Sequence, residues 1–255
     1  MKQQTEPQRK FKVPETIGLH KVASPENSNL KVMTAWALNL PAGQSLSKET
    51  GKDELHWIVC TGRLRFDAGT ASGELGPGDS LYLPRGSSVH FSAQTEVKAL
   101  GASAEAFFDT EPILVRFADA WWSERRQLHG KYTFGRDVAS LLDKNLDKTS
   151  RLVGGITTGY DSGWTSWPPH HHSDTMEEVY CYFGMSKAGF GIHVGLGDDG
   201  EFAEIVRNGD VVVVPTGYHP TVASPGNRMN YCWFMAAKQA ESDRRAPVVM
   251  HPEYV

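Results

Sequence analysis

The segment Trp167-Pro-Pro-His170-His171-His172-Ser-Asp-Thr-Met-Glu177-Glu178-Val-Tyr180-Cys-Tyr182 gathers the side chains of this sequence best suited to do chemistry. In an extended strand alternate residues share a face, so His170 and His172 point one way and His171 the other. A carboxylate a few residues on, Glu177 or Glu178, opens the following strand and can reach the same space. Far downstream, His219 follows the turn Pro215-Thr-Gly217-Tyr218. Imidazole nitrogens with one carboxylate are the donor set of a borderline divalent metal ion, zinc or manganese first, with iron, nickel and cobalt compatible. Taken alone, His219 reads as a hydrogen-bonded core histidine; beside the other three groups it reads as a ligand. Tyr180 and Tyr182 share the parity of Glu178 and so can line the same pocket or fill a barrel core.

The elements that must carry these residues are short. Runs of β-branched and aromatic residues closed by Gly, Pro or Asn/Asp recur along the chain, among them Val32 to Leu40, Leu55 to Cys60, Leu81 to Leu83, Val179 to Phe183, Val211 to Val214 and Tyr231 to Met235. That pattern predicts an all-β fold of antiparallel barrels or sandwiches. Helical spacing shows only around Asp137 to Leu146, where Val138, Leu141, Leu142 and Leu146 could form one face of a short helix. An internal repeat is legible: Gly78-Asp79-Ser-Leu-Tyr-Leu-Pro84-Arg-Gly86 recurs as Gly209-Asp210-Val-Val-Val-Val-Pro215-Thr-Gly217. Upstream, Glu54-Leu-His-Trp matches Glu178-Val-Tyr-Cys. The reading is a duplicated barrel: an N-terminal unit over 1–115, a linker with the short helix over 116–149, and a C-terminal metal-binding unit over 150–255. The first unit has Ser45-Leu-Ser47-Lys48 where the histidine pair would stand. His56 and His90 assemble no equivalent triad, so that unit is expected to be metal-free and structural.

Composition narrows the function classes. Among 255 residues, 26 Lys and Arg stand against 30 Asp and Glu, a net charge of −4 with no basic run, which argues against a nucleic-acid surface. No apolar stretch approaches the roughly 18 residues of a membrane span. The polar start, Met1 to Lys10, lacks the apolar core of a secretion signal, so a cytoplasmic protein is expected. Cys60, Cys181 and Cys232 lie in strand-like segments without CxxC spacing, as reduced core thiols do.

The motifs resemble those of the cupins in their duplicated, bicupin form. A closer similarity is to the 5-deoxy-glucuronate isomerase and 5-keto-4-deoxyuronate isomerase family. Thr158-Gly-Tyr-Asp-Ser-Gly-Trp-Thr-Ser-Trp-Pro-Pro-His-His-His resembles the family's T-x-G-x-W-S-S-x-P-P-H-x-H signature. Glu177-Glu-Val-Tyr-Cys-Tyr, Arg207-Asn-Gly-Asp-Val-Val-Val-Val-Pro, Gly217-Tyr-His-Pro and Arg136-Asp-Val resemble further stretches of it. The resemblance implies jelly-roll barrels and a metal held by His170, His172, Glu178 and His219, with Glu178 preferred because it directly precedes the alternating strand, as the ligand does in the relatives. The His-to-Glu loop is shorter than in most 5-deoxy-glucuronate isomerases.

The implied reaction is aldose–ketose isomerisation of a sugar acid, most simply 5-deoxy-glucuronate of myo-inositol catabolism, by proton transfer through a metal-stabilised enediolate. Four protein ligands on an octahedral ion leave two neighbouring positions, enough for a carbonyl and its α-hydroxyl. Glu177, Tyr180 and Tyr182 are the candidate catalytic side chains, Glu177 as the base if it is not the ligand. Arg151, Arg207 and Arg228 are candidates for the substrate carboxylate, and the sequence does not choose among them. Two rival readings are an iron-dependent cupin dioxygenase and a noncatalytic sugar-binding bicupin. The partner is a small sugar acid, with no nucleic acid and no membrane, and a homo-oligomer is compatible with the composition.

Overall fold

A computed structural model describes residues 8–172, 175–197 and 200–254. Every named strand pairs antiparallel, and the strands form two pairs of sheets and a separate two-stranded one, His170–His171 with Val249–Met250. In the first half, a six-stranded sheet runs in spatial order Ile113–Val115, Ser80–Leu83, Asp53–Thr61, Val97–Glu105, Met33–Leu40, Gly18–Ala23. It faces a four-stranded sheet of Ser45–Glu49, Ser88–Ala93, Leu64–Asp67 and Ser72–Leu75. In the second half, a seven-stranded sheet runs Lys10–Lys12, Asp210–Val214, Met176–Tyr182, Asn230–Ala237, Leu152–Gly159, Arg136–Leu142, Arg126–His129. Its four-stranded partner holds Trp164–Thr165, Thr221–Ala223, Gly191–Gly195 and Phe202–Val206. No helix among the described residues is long and apolar enough to cross a membrane.

The two large sheets pack against each other, which explains why their central strands read as unbroken apolar runs rather than alternating ones. Leu55, Trp57 and Val59 fill the first unit, whereas Ile58 on the other face joins the core between the sheets. Likewise Tyr180, Tyr182 and Val212 line the interior of the second unit, while Val179, Cys181, Val211 and Val213 face the shared core. Cys181 and Cys232 are buried in that core with Cys60 packed against it, and all three are free thiols.

The halves interlock reciprocally. Lys10–Lys12, which leads into the first half, adds to the edge of the second half's large sheet, and Ile113–Val115, which leads into the second, adds to the corresponding edge of the first. Lys12 then pairs with Asp210 at 3.0 Å, and Arg116 with Asp79 at 2.7 Å. Glu54 accepts hydrogen bonds from the backbone N–H groups of Ser150, Arg151 and Leu152. In mirror fashion Glu177 accepts from Lys31, Val32 and Met33 at 2.8, 2.9 and 2.6 Å. Strand register fixes this equivalence: Leu55 pairs with Leu83 as Glu178 pairs with Val214, and Leu83 and Val214 occupy the same place in the repeat. Glu54 therefore corresponds to Glu177, not to Glu178 as the motif alignment suggested, and Leu55 stands where Glu178 stands.

The helix expected over 137–146 is not formed. Arg136–Leu142 is a strand between Leu152–Gly159 and Arg126–His129, followed by a turn in which Asp147 accepts from the N–H of Asp143. A register shift between Ser140 and Leu142 lets both faces of this strand bury apolar residues: Leu141 enters the core between the sheets, and Val138 and Leu142 line a cavity. Two apolar faces broken by a bulge imitate helical spacing. Among the described residues the one α-helix is the single turn Phe117–Trp121.

Candidate metal centre

His170 and His172 lie on the short segment that follows Pro168 and Pro169, where His170–His171 pairs with Val249–Met250 near the C-terminus. His219 leaves the Gly217 turn, whose positive φ of 88° suits a residue without a side chain. The donor atoms of His170, His172 and His219 lie within 4.8 Å of one another. Oε2 of Glu178 stands 3.2 Å from Nε2 of His172 and 3.1 Å from Nε2 of His219. Glu178 comes from the central strand Met176–Tyr182, whose inward parity it shares with Tyr180 and Tyr182.

Second contacts aim the rings. Nδ1 of His170 sits 3.1 Å from the carbonyl of Pro168, and Nδ1 of His219 sits 2.9 Å from that of Gly217. A ring nitrogen donating to a carbonyl leaves the opposite nitrogen with a lone pair, the tautomer a metal requires. Nε2 of His219 and Oε2 of Glu178 are buried with no hydrogen-bond partner of suitable geometry. Orphaned buried acceptors are costly unless something occupies the space between them. Burial holds His170 neutral, its pKa pushed down to about 3, with the neighbouring imidazoles adding to the shift. Burial alone would raise Glu178, but the His172 and His219 rings beside its Oε2 outweigh it and bring its carboxyl down to about 2. Three converging imidazoles and an ionised carboxylate fit a divalent ion.

The centre opens on a cavity of about 270 Å³. Tyr180, Tyr231 and Ser166 line it beside Glu178, while Arg136, Val138, Ser140 and Leu142 form one wall and Val248 and Met250 contribute another. Oγ of Ser166 lies 2.5 Å from the Tyr180 hydroxyl and 3.1 Å from that of Tyr231, and the two tyrosine rings stack at 4.2 Å. Ser166 holds a φ of 53°, a backbone conformation uncommon for a serine.

Of the residues singled out from sequence, His170, His172, Glu178, His219 and Tyr180 come together. Tyr182 lies a layer deeper, its hydroxyl 2.7 Å from Nδ1 of His193 and bonded to Thr221. Glu177 points into the interface between the halves, both oxygens taken by backbone N–H groups, and is not brought to the cavity. Arg151, Arg207 and Arg228 are absent from the cavity wall: Arg151 stacks on Phe107, Arg207 packs over Phe190, and Arg228 pairs with Asp161. Ser166 and Arg136 fall within stretches that carry the family resemblance and Tyr231 opens a strand-like run, but the sequence reading gave none of them a place in the site.

Known proteins place these observations. The model of the KduI/IolB family matches residues 9–254. The 5-deoxy-glucuronate isomerase of Bacillus subtilis strain 168 is 28% identical over 239 residues, covering 86% of both chains. The enzyme of that name from Lacticaseibacillus casei is 29% identical over 229 residues, 82% of this chain and 83% of the relative. Among solved structures, an IolB-like protein of Salmonella typhimurium LT2 superposes with a TM-score of 0.86 at 21% identity, covering 97% of this chain and 98% of that one. The oxalate decarboxylase OxdC of Bacillus subtilis superposes with a TM-score of 0.67 at 12% identity over 96% of this chain and 80% of that one, a likeness of fold. The fold is the duplicated cupin, and the chain belongs to the KduI/IolB family and is an isomerase.

Proposed function

We propose that the cavity interconverts an aldehyde sugar acid, with 5-deoxy-glucuronate the first candidate, and its 2-keto isomer, using a divalent ion held by His170, His172, Glu178 and His219. The observation that carries this reading is the convergence of three imidazoles and an ionised carboxylate beside a cavity, in a chain whose relatives are named 5-deoxy-glucuronate isomerases. When bound, the ion would supply a Lewis acid to the carbonyl and the neighbouring hydroxyl oxygen.

The chain's own groups act on the protons of the substrate oxygens. Burial, reinforced by the nearby Glu178, pushes the Tyr180 phenol well above its ordinary value, so Tyr180 keeps its proton. Ser166 bridges the Tyr180 and Tyr231 hydroxyls, giving the cavity wall a chain of groups that hand a proton to a substrate oxygen and recover it. Val138, Leu142, Val153, Met176 and Met235 exclude water around it. Glu177 serves no base role, because removing its carboxylate from three backbone donors would unpair them.

The test is metal analysis of the purified protein followed by isomerisation of uronates and deoxyuronates in deuterated water. Solvent deuterium incorporated at C1 or C2 of the product, without added redox cofactor, is the expected result. A metal-loaded protein that isomerises none of these compounds refutes the proposal, and oxygen uptake with substrate would move the reading to an iron dioxygenase.

A further inference from the structure

We infer that Arg136 binds the carboxylate of the substrate and thereby fixes which end of a sugar acid faces the histidines. The inference rests on the sugar-acid reading of the cavity but is tested apart from it. Arg136 is 7% exposed and lines the same cavity as His170, His172 and Glu178. It makes one hydrogen bond among the described residues, from Nη1 to the carbonyl of Trp167 at 2.6 Å. A guanidinium has five N–H donors and stays charged, so a buried one with a single neutral acceptor is short of partners. Its acidic neighbours are engaged elsewhere. Asp137 points to the other face of the strand and pairs with Arg126 at 2.7 Å. Asp143 accepts from the backbone of Asn145 and Leu146, and Glu178 faces the histidines.

The other cations on the cavity are committed. Arg244 donates to Oγ1 of Thr149 and to the carbonyls of Lys144, Asp143 and Asp147. Lys144 donates to the carbonyl of Ala246 and, only half-buried, can turn its remaining donors to water. Arg136 is thus the cation on this wall with donors to spare, and a planar carboxylate matches its fork geometry. The bond to Trp167 ties the guanidinium to the loop that leads through Pro168 and Pro169 into His170, so the anion site and the imidazoles are held by one stretch of chain.

The experiment measures calorimetric binding of D-glucuronate and of its neutral counterpart D-glucuronamide to the protein with its metal content determined. Arg136→Gln should weaken D-glucuronate about tenfold to hundredfold while D-glucuronamide changes by less than about twofold, as loss of a charge-assisted pair predicts. Arg136→Lys should recover part of the loss, and metal content should match wild type in both variants. Undiminished D-glucuronate binding by Arg136→Gln overturns the assignment. So does an equal loss for both sugars, which would mean that Arg136 acts through the Trp167 loop, or a wild-type protein with no preference for the acid. Catalysis is not read here: selective binding through Arg136 by a protein that isomerises nothing would retain the carboxylate site and sink the isomerase reading.

Discussion

Four side chains from three separated stretches make the candidate metal centre, and each has a different reason to matter. Removing His170 and His172 together takes two of three imidazoles, so the double variant to Ala should lose stoichiometric metal by elemental analysis, whereas His56→Ala should keep it. Glu178→Gln should reduce both metal retention and turnover at least about tenfold, since an ionised ligand becomes a neutral one. Glu177→Gln should retain the metal, because its oxygens serve the interface. Strand parity, a local property, made the shared face of His170 and His172 and the opposite faces of Glu177 and Glu178 legible in the sequence, whereas His219 and the preference for Glu178 came from the family resemblance. Tyr231 and Ser166 reach the cavity through long-range packing, Ser166 in a left-handed backbone conformation that no neighbour announces. Arg136 stood in the segment read as linker, so its place on the cavity wall became visible only once that segment proved to be a strand of the large sheet.

At the scale of elements, the repeated turn was readable because its chemistry lies within a few residues. Gly78 and Gly209 have φ of 84° and 78°, and Asp79 and Asp210 each accept from the N–H three residues earlier. What joins the halves was not readable, since Glu54 finds its partners nearly a hundred residues away and Glu177 further still. Replacing Glu54 by Ala leaves three buried N–H groups without acceptors, and replacing Glu177 leaves one buried and two partly buried, at about 1–3 kcal/mol for each buried group before relaxation. Glu54→Ala should therefore lose about 3 kcal/mol or more in chemical denaturation, and Glu177→Ala about 1–3 kcal/mol. Equal melting of either variant with wild type would show that water or a shifted loop replaces the carboxylate.

The whole molecule carries an acid sensitivity in its central core. His56 is fully buried against Phe234, neither ring nitrogen has a partner among the described residues, and burial pushes its pKa down to about 3. Its folded-state value lies below the unfolded one, near 6.5, so its neutral form contributes stability above that pH, and the contribution is lost as pH falls toward 3. Relative to wild type, His56→Leu should gain about 1.4 kcal/mol of unfolding free energy per pH unit between about pH 6 and 4, whatever the offset at neutrality. Parallel stability curves would refute this. His56 also shows how the halves have diverged: a Cβ on Gly154 would lie 2.8 Å from its Nδ1, and the counterparts of this large and small pair are Val179 and Ala35. Edge strands, ion pairs and carboxylates exchanged in both directions are what an isologous two-fold dimer makes. Fusion into one chain leaves that dimer's interface intact while releasing its copies from identity, so one copy can carry Leu55 where the other carries Glu178. The copy without the ligand keeps a mechanical office: its Lys31–Met33 backbone grips Glu177 and so sets the position of the neighbouring Glu178, making the N-terminal half the vice in which the other half's chemistry is clamped.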